Sequence, residues 1–174
     1  MLILLLGGAS SGKSAVAESI VARLPAPVTY VATLRPDPRD PDLMQRIDAH
    51  RDRRPAEWAT VDATADLPQQ IASLDGTVLL DSLGPWVALH RPDPTTTRSL
   101  AQALSQRRGH TVVVSDEVGL SVHPASQAGR VFQDAIGEVN QLLAEAADET
   151  LLVVAGRLLR TSPVDVDAVL RGRV

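Results

Sequence analysis

Short runs of apolar, β-branched-rich residues alternate along the chain with longer amphipathic segments, which is the pattern of a parallel sheet flanked by helices. The predicted strands are Leu2 to Leu6, Val28 to Ala32, Thr77 to Asp81, Thr111 to Ser115 and Thr150 to Ala155. Most are apolar throughout rather than alternating, as strands covered on both faces are. Between them, Ser14 to Leu24 places Val16, Ala17, Ile20, Val21 and Leu24 at helical spacing, and Ser126 to Ala146 repeats the pattern with Val131, Phe132, Ala135, Ile136, Val139 and Leu143. A third helix is predicted over Asp40 to Arg54, with Leu43, Ile47 and His50 on one face, and a short one over Leu83 to Leu89. The proline-rich stretches Pro36 to Pro41 and Pro92 to Pro94 read as loops too short to separate domains. After Gly156 the pattern becomes irregular and fits either a final hairpin or a docked arm. With no internal repeat and no linker, the expectation is one α/β domain over residues 1–174.

Composition narrows the picture. Hydrophobic residues make up 44% of the chain but aromatic ones only 2%, so the core must be aliphatic and alanine-rich. A formal net charge of -4 gives no general attraction to nucleic acid, so a polyanionic ligand has to be met by a local cluster of cations and is expected to be small. The absence of cysteine excludes a disulfide framework, a thiolate metal site and a cysteine nucleophile. The apolar run Leu2 to Leu6 has no basic segment before it and meets glycine after five residues, so a cytoplasmic protein without a membrane anchor is expected.

The sharpest chemical signal is Gly7-Gly8-Ala9-Ser10-Ser11-Gly12-Lys13-Ser14, placed between the first predicted strand and the first predicted helix. In that context the pattern is a P-loop: glycines let the backbone curl so that N–H groups point inward, and the following helix adds its partial positive charge. Lys13 would reach the β- and γ-phosphates and Ser14 would ligate Mg²⁺. The competing reading is a glycine-rich turn without a ligand. Of the 17 Lys and Arg residues, Lys13 is the single lysine, which argues that a compact ammonium is required there. Asp81, at the end of its strand, stands where an acidic residue would hold the metal or its water, or else caps the helix that follows. Asp116 and Glu117 form a further acidic pair at the same predicted sheet edge, where open α/β sheets gather ligands.

His50 is bracketed on its helix by Arg46 and Arg54, four residues to either side, and by Arg53 three residues on. Positive neighbours disfavour the imidazolium and leave a nucleophilic ring, while the same arginines can grip a triphosphate. The alternative is a half-buried histidine on a helix with a solvated arginine face. His90, His110 and His123 are expected at the surface, and Trp58 in the core or on a stacking surface. Arg130, Asp134, Gly137 and Gln141 form a polar stripe on the long helix; Arg130 and Asp134 either serve a site or simply pair with each other. Gly137, costly in mid-helix, hints at close approach by a backbone or ligand.

Together these residues resemble the bifunctional adenosylcobinamide kinase/adenosylcobinamide-phosphate guanylyltransferase family of cobalamin biosynthesis. The resemblance is carried by the P-loop at 7–14, by Tyr30-Val31-Ala32-Thr33, and by Arg46-Ile47-x-x-His50 continuing to Arg54-Pro55-x-x-Trp58. Asp116-Glu117-Val118-Gly119, Arg130-x-Phe132-x-Asp134-x-x-Gly137-x-x-Asn140-Gln141 and Ala147-Asp148 leading into Val153-Val154-Ala155-Gly156 complete it. It implies a P-loop NTPase-like fold, GTP or ATP as phosphoryl donor to the aminopropanol hydroxyl of adenosylcobinamide, and then transfer of GMP from GTP through a covalent adduct on His50. It further implies that Thr33, Arg51, Asp52, Arg53, Arg54, Asp62 and Asp81 contact nucleotide, that Mg²⁺ assists, that the partner is a small-molecule corrinoid, and that the chain forms a homo-oligomer, a trimer in the family. The sequence departs from the family in having Ser10 for a frequent arginine, Asp116 for a usual asparagine, and a short stretch between Asp81 and Thr111. A kinase-only P-loop enzyme is the competing enzymatic reading. A GTP-dependent switch is disfavoured, because no Asn-Lys-x-Asp run is present.

Overall fold

The computed structural model describes residues 1–171, apart from the side chain of Arg46. The first strand, β1 (Leu2–Gly7), is buried almost throughout, and its side chains alternate between two cores. Leu2 and Leu4 enter one cluster with Val31, Val78, Leu80 and Val113, whereas Ile3 and Leu5 enter the other with Tyr30, Leu79, Val112 and Val114. This two-sided burial is why the strands read as continuous apolar runs instead of alternating ones.

Around β1 the chain builds β2 (Val28–Ala32), β3 (Ala59–Asp62), β4 (Thr77–Asp81), β5 (Thr111–Asp116), β6 (Glu149–Val154) and β7 (Arg157–Thr161). They form one sheet in the order β3-β2-β4-β5-β1-β6-β7, parallel except that β7 runs antiparallel to β6. The expected α/β class with a mostly parallel sheet is what the chain adopts. Helix α1 (Lys13–Val21) packs Ala17 and Val21 into the second core. The first core is covered by α3 (Leu67–Ala72), α4 (Leu83–His90), α5 (Pro94–Gln106) and α6 (Gln127–Ala146). Helix α2 (Pro41–Asp52) has no buried side chain among its described residues, and a short α7 (Val166–Leu170) follows the sheet.

The two proline-rich stretches are loops as far as their last proline, which in each begins a helix. Pro41 and Pro94 lie at the first turns of α2 and α5, where the missing N–H costs nothing, and the aspartates before them cap: Asp40 accepts from Leu43 N (3.0 Å) and Asp93 from Thr96 N (2.7 Å). The tail after Gly156 is the hairpin alternative, with Ala155 and Gly156 (φ 49° and 70°) making the tight turn between β6 and β7. Trp58 is buried in the second core, as one of its two readings required. His123 is exposed as expected, but His90 is half-buried against the Trp86 ring at 5.6 Å, and His110 is half-buried with an unpaired Nδ1. Their burial follows from α4 and β5 lying against the core, which their own neighbours in sequence do not reveal. Apart from its own helix backbone, no atom of the described residues lies within 4 Å of a Cβ built on Gly137, so the close approach suggested by that glycine is not made among them.

At the amino edge of the sheet the backbone is tied tightly. Arg107 donates to the carbonyls of Leu74, Gly76 and His110, and burial pulls its pKa below the usual guanidinium value while Asp75 opposes that shift. Gly109 has φ 104°, and a Cβ there would collide with the Gly76 carbonyl oxygen. Gly109→Ala is therefore expected to lower stability by about 2 kcal/mol from backbone strain plus the clash, read as a drop in unfolding midpoint with activity intact in the folded fraction.

Candidate active site

The first helix begins where the glycine loop ends. Gly12 takes φ 90° as the residue before α1, and no side chain caps that helix, so its first-turn amides face the cavity over the loop. The loop is braced from behind: a Cβ on Gly7 would strike Ser11 Oγ (2.6 Å) and Val153 O (2.9 Å), and Gly156 N donates to Ser11 O (2.8 Å). The hairpin turn between β6 and β7 thus supports the loop through the backbone.

A cavity of about 590 Å³ opens at the carboxyl ends of the strands. Its walls include Ala9 to Ser14, Tyr30, His50, Arg53, Arg54, Asp81 and Asp116. Lys13 Nζ donates to Gly8 O (3.1 Å) and pairs with Asp116 Oδ1 (3.0 Å), which holds the ammonium over the loop. Ser14 Oγ donates to Asp81 Oδ1 (3.0 Å), while Tyr30 Oη donates to Asp81 Oδ2 (3.0 Å). Asp81 therefore serves the cavity and not the start of α4, whose flanking Ser82 makes no side-chain cap either. Burial pushes the Tyr30 phenol up, with the Asp81 carboxylate adding to the rise, so it stays a hydrogen-bond donor. Arg54 stacks on the same ring, its guanidinium carbon 3.3 Å from the centroid.

His50 reaches this centre from α2. Its Nδ1 lies 3.5 Å from Asp81 Oδ2, 3.9 Å from Glu18 Oε1 and 3.2 Å from Arg53 Nη2. The purely cationic surroundings expected from the helix are thus corrected: two carboxylates from other elements face the ring together with Arg53. Glu18 was missed by the sequence reading, although its position four residues after Ser14 puts it on the P-loop face of α1.

Other expected site residues lie elsewhere. Thr33 is buried beside the cavity and donates to Ser82 O. Arg51 is exposed and pairs with Asp48 (3.8 Å), and Asp52 is exposed at the end of α2. Asp62 is exposed at the end of the edge strand β3, its carbonyl accepting from Gln70 Nε2 (2.8 Å). Arg130 donates to Pro124 O and Ala125 O (both 3.1 Å) and Asp134 is exposed; among the described residues they form no ion pair with each other, and neither lines the cavity over the loop. The helix periodicity is borne out, and Gly137 and Gln141 of that stripe line a second cavity. Glu117 accepts from the N–H groups of Gly119 (2.6 Å) and Leu120 (3.2 Å) and faces a separate cavity of about 370 Å³. Arg46 lies outside the described side chains.

Residues 3–161 match the family described as cobinamide kinase / cobinamide phosphate guanyltransferase. The chain belongs to this family. It is 36% identical over 178 aligned positions to the bifunctional adenosylcobalamin biosynthesis protein of Salmonella typhimurium, covering 90% of this chain and 97% of that protein. The corresponding Pseudomonas aeruginosa protein is 35% identical, with 88% and 92% covered. Among solved structures, a Pyrococcus horikoshii protein aligns with a TM-score of 0.53 at 11% identity, covering 94% of this chain and 87% of that one. An ATPase from the type III secretion system of pathogenic bacteria aligns at 0.51 and 12%, covering 87% and 50%. These distant likenesses bear on the fold alone, the mostly parallel sheet flanked by helices. Among the described residues no helix is long and apolar enough to cross a membrane.

Proposed function

We propose that this chain is a transferase of cobalamin biosynthesis that phosphorylates adenosylcobinamide and then guanylylates the product, both at the cavity over the P-loop. The observation that carries this reading is a shared carboxylate: Asp81 accepts from Ser14 of the phosphate loop and lies 3.5 Å from His50, so a phosphate-binding site and a nucleophile open onto one cavity.

In the first reaction the loop amides and Lys13 hold the triphosphate of GTP or ATP. The oxygen of the aminopropanol hydroxyl attacks the γ-phosphorus, the bond from that phosphorus to the bridging oxygen breaks, the nucleoside diphosphate leaves and the hydroxyl proton is released. In the second, neutral His50 attacks the α-phosphorus of GTP, an N–P bond forms and pyrophosphate departs with the electron pair of the broken P–O bond. A phosphate oxygen of adenosylcobinamide phosphate then attacks the same phosphorus and the N–P electrons return to the imidazole. Arg53 and Arg54, on the cavity wall, are placed to offset phosphate charge.

Ser14 Oγ and Asp81 Oδ1 are adjacent hard oxygen donors, a set that fits Mg²⁺, and they would hold it. When bound, the ion would draw charge from the phosphate oxygens. Asp116 is engaged by Lys13 and orients that ammonium instead.

The test is a reaction with adenosylcobinamide and GTP followed by mass spectrometry. The phosphate and then the GDP adduct of the corrinoid are expected in turn. A phosphate product alone would leave a kinase-only enzyme, and neither product would sink the reading.

A further inference from the structure

Tyr30 is the single tyrosine of the chain, and it stands among the aliphatic residues of the second core. Strand register explains its reach. Tyr30 of β2 lies opposite Leu79 of β4, and Asp81 is two residues further along β4 on the same face, a diagonal that a long aromatic side chain spans. Its hydroxyl donates to Asp81 Oδ2 at 3.0 Å. The Asp81 side chain is only 3% exposed, so each of its oxygens needs a partner from the protein. Ser14 Oγ serves Oδ1 at 3.0 Å, on the side of the phosphate loop. His50 Nδ1, at 3.5 Å from Oδ2, stands outside ordinary hydrogen-bond length, which leaves the phenol as the donor on that oxygen. The Arg54 guanidinium lies against the face of the same ring, a contact that does not involve the hydroxyl.

We infer that Tyr30 is a positioning residue for the metal: by holding Oδ2 it fixes the rotation of the Asp81 carboxylate and keeps Oδ1 beside Ser14, where the two oxygens would hold Mg²⁺. The two oxygens of a carboxylate are chemically equivalent and exchange by rotation unless each has its own partner. With the phenol in place that rotation is settled before the ion arrives, so binding does not have to order the ligand. Without it, a buried oxygen loses its hydrogen bond and the carboxylate turns to find another. The inference rests on the reading of Ser14 and Asp81 as metal donors.

Tyr30→Phe keeps the ring, its packing and the Arg54 stack, and removes only the hydroxyl. The measurement is Mn²⁺ affinity with GDP present, read by loss of the free-ion EPR signal. Wild-type protein is expected to bind the ion more tightly than GDP alone does. Tyr30→Phe is expected to bind it about tenfold more weakly than wild type, the cost of one hydrogen bond to a charged group. Affinity for GDP in EDTA, by calorimetry, should stay at the wild-type value. Unchanged Mn²⁺ affinity in the variant overturns the inference. So does an equal weakening of GDP in EDTA, which marks a merely structural role. If Tyr30→Phe does not fold, 3-fluorotyrosine in the otherwise native protein gives one fluorine resonance. A shift between GDP in EDTA and GDP with Mg²⁺ then supports the link from phenol to metal, and an unmoved line overturns it. Should wild-type protein bind Mn²⁺ no more tightly than GDP alone, the metal assignment fails and the inference with it. Absence of corrinoid products beside the expected Mn²⁺ result would sink the proposed reaction and leave the inference standing.

Discussion

Lys13→Ala is expected to remove both activities, lowering phosphoryl transfer by about a hundred- to a thousandfold, the usual cost of losing a fixed positive group on developing phosphate charge. The expectation rests on how this ammonium is held. Gly8 O and Asp116 Oδ1 fix it at 3.1 and 3.0 Å, so its direction is set before substrate arrives, and the other cationic side chains of the protein are arginines. A guanidinium is broader, planar and makes its bonds as a fork, so Lys13→Arg should fail as well. Asp116→Asn retains the shape but not the charge and should give a smaller loss. Turnover with GTP and with ATP, together with nucleotide affinity by calorimetry in magnesium, reads these effects. Intact affinity in Lys13→Ala would place the phosphate site elsewhere.

The second large effect separates the two reactions. His50→Ala should leave phosphorylation of adenosylcobinamide near the wild-type rate and abolish the acid-labile, base-stable label taken from α-labelled GTP, so that the phosphate product accumulates without its GDP adduct. The split follows from position: His50 approaches from α2 and meets the loop through Asp81 and Glu18, whereas Lys13 and the loop amides belong to β1 and α1. Persistence of the label in His50→Ala would show another nucleophile. Parallel loss of phosphorylation would show that the imidazole also serves the first step.

Legibility followed how local each interaction is. The P-loop could be read directly because its eight residues are consecutive and sit between a strand and a helix, a context that the chain itself displays. Strand β3 escaped because it is an edge strand of the sequence Ala-Thr-Val-Asp, exposed for most of its length and without an apolar run. Helix α5 escaped behind its prolines, since Pro94 reads as a breaker until Asp93 is seen capping the turn that it starts. Arg51, Asp52 and Asp62 were expected at the nucleotide because the family resemblance implies it; in the fold all three are exposed, Arg51 pairing with Asp48 and Asp62 ending the edge strand.

By itself the sequence determined the α/β class, the core strands, the phosphate loop and the candidacy of His50, because each of these is encoded over a few adjacent residues or a helical repeat. Only the tertiary structure decided that Glu18, His50, Arg53 and Asp81 share one cluster, that Asp116 belongs to Lys13 and that the turn at Gly156 braces Ser11. The physical reason is the strand order. It brings the carboxyl ends of β4, β5 and β1 together over α1, and no spacing along the chain reports which side chains then come within hydrogen-bonding distance.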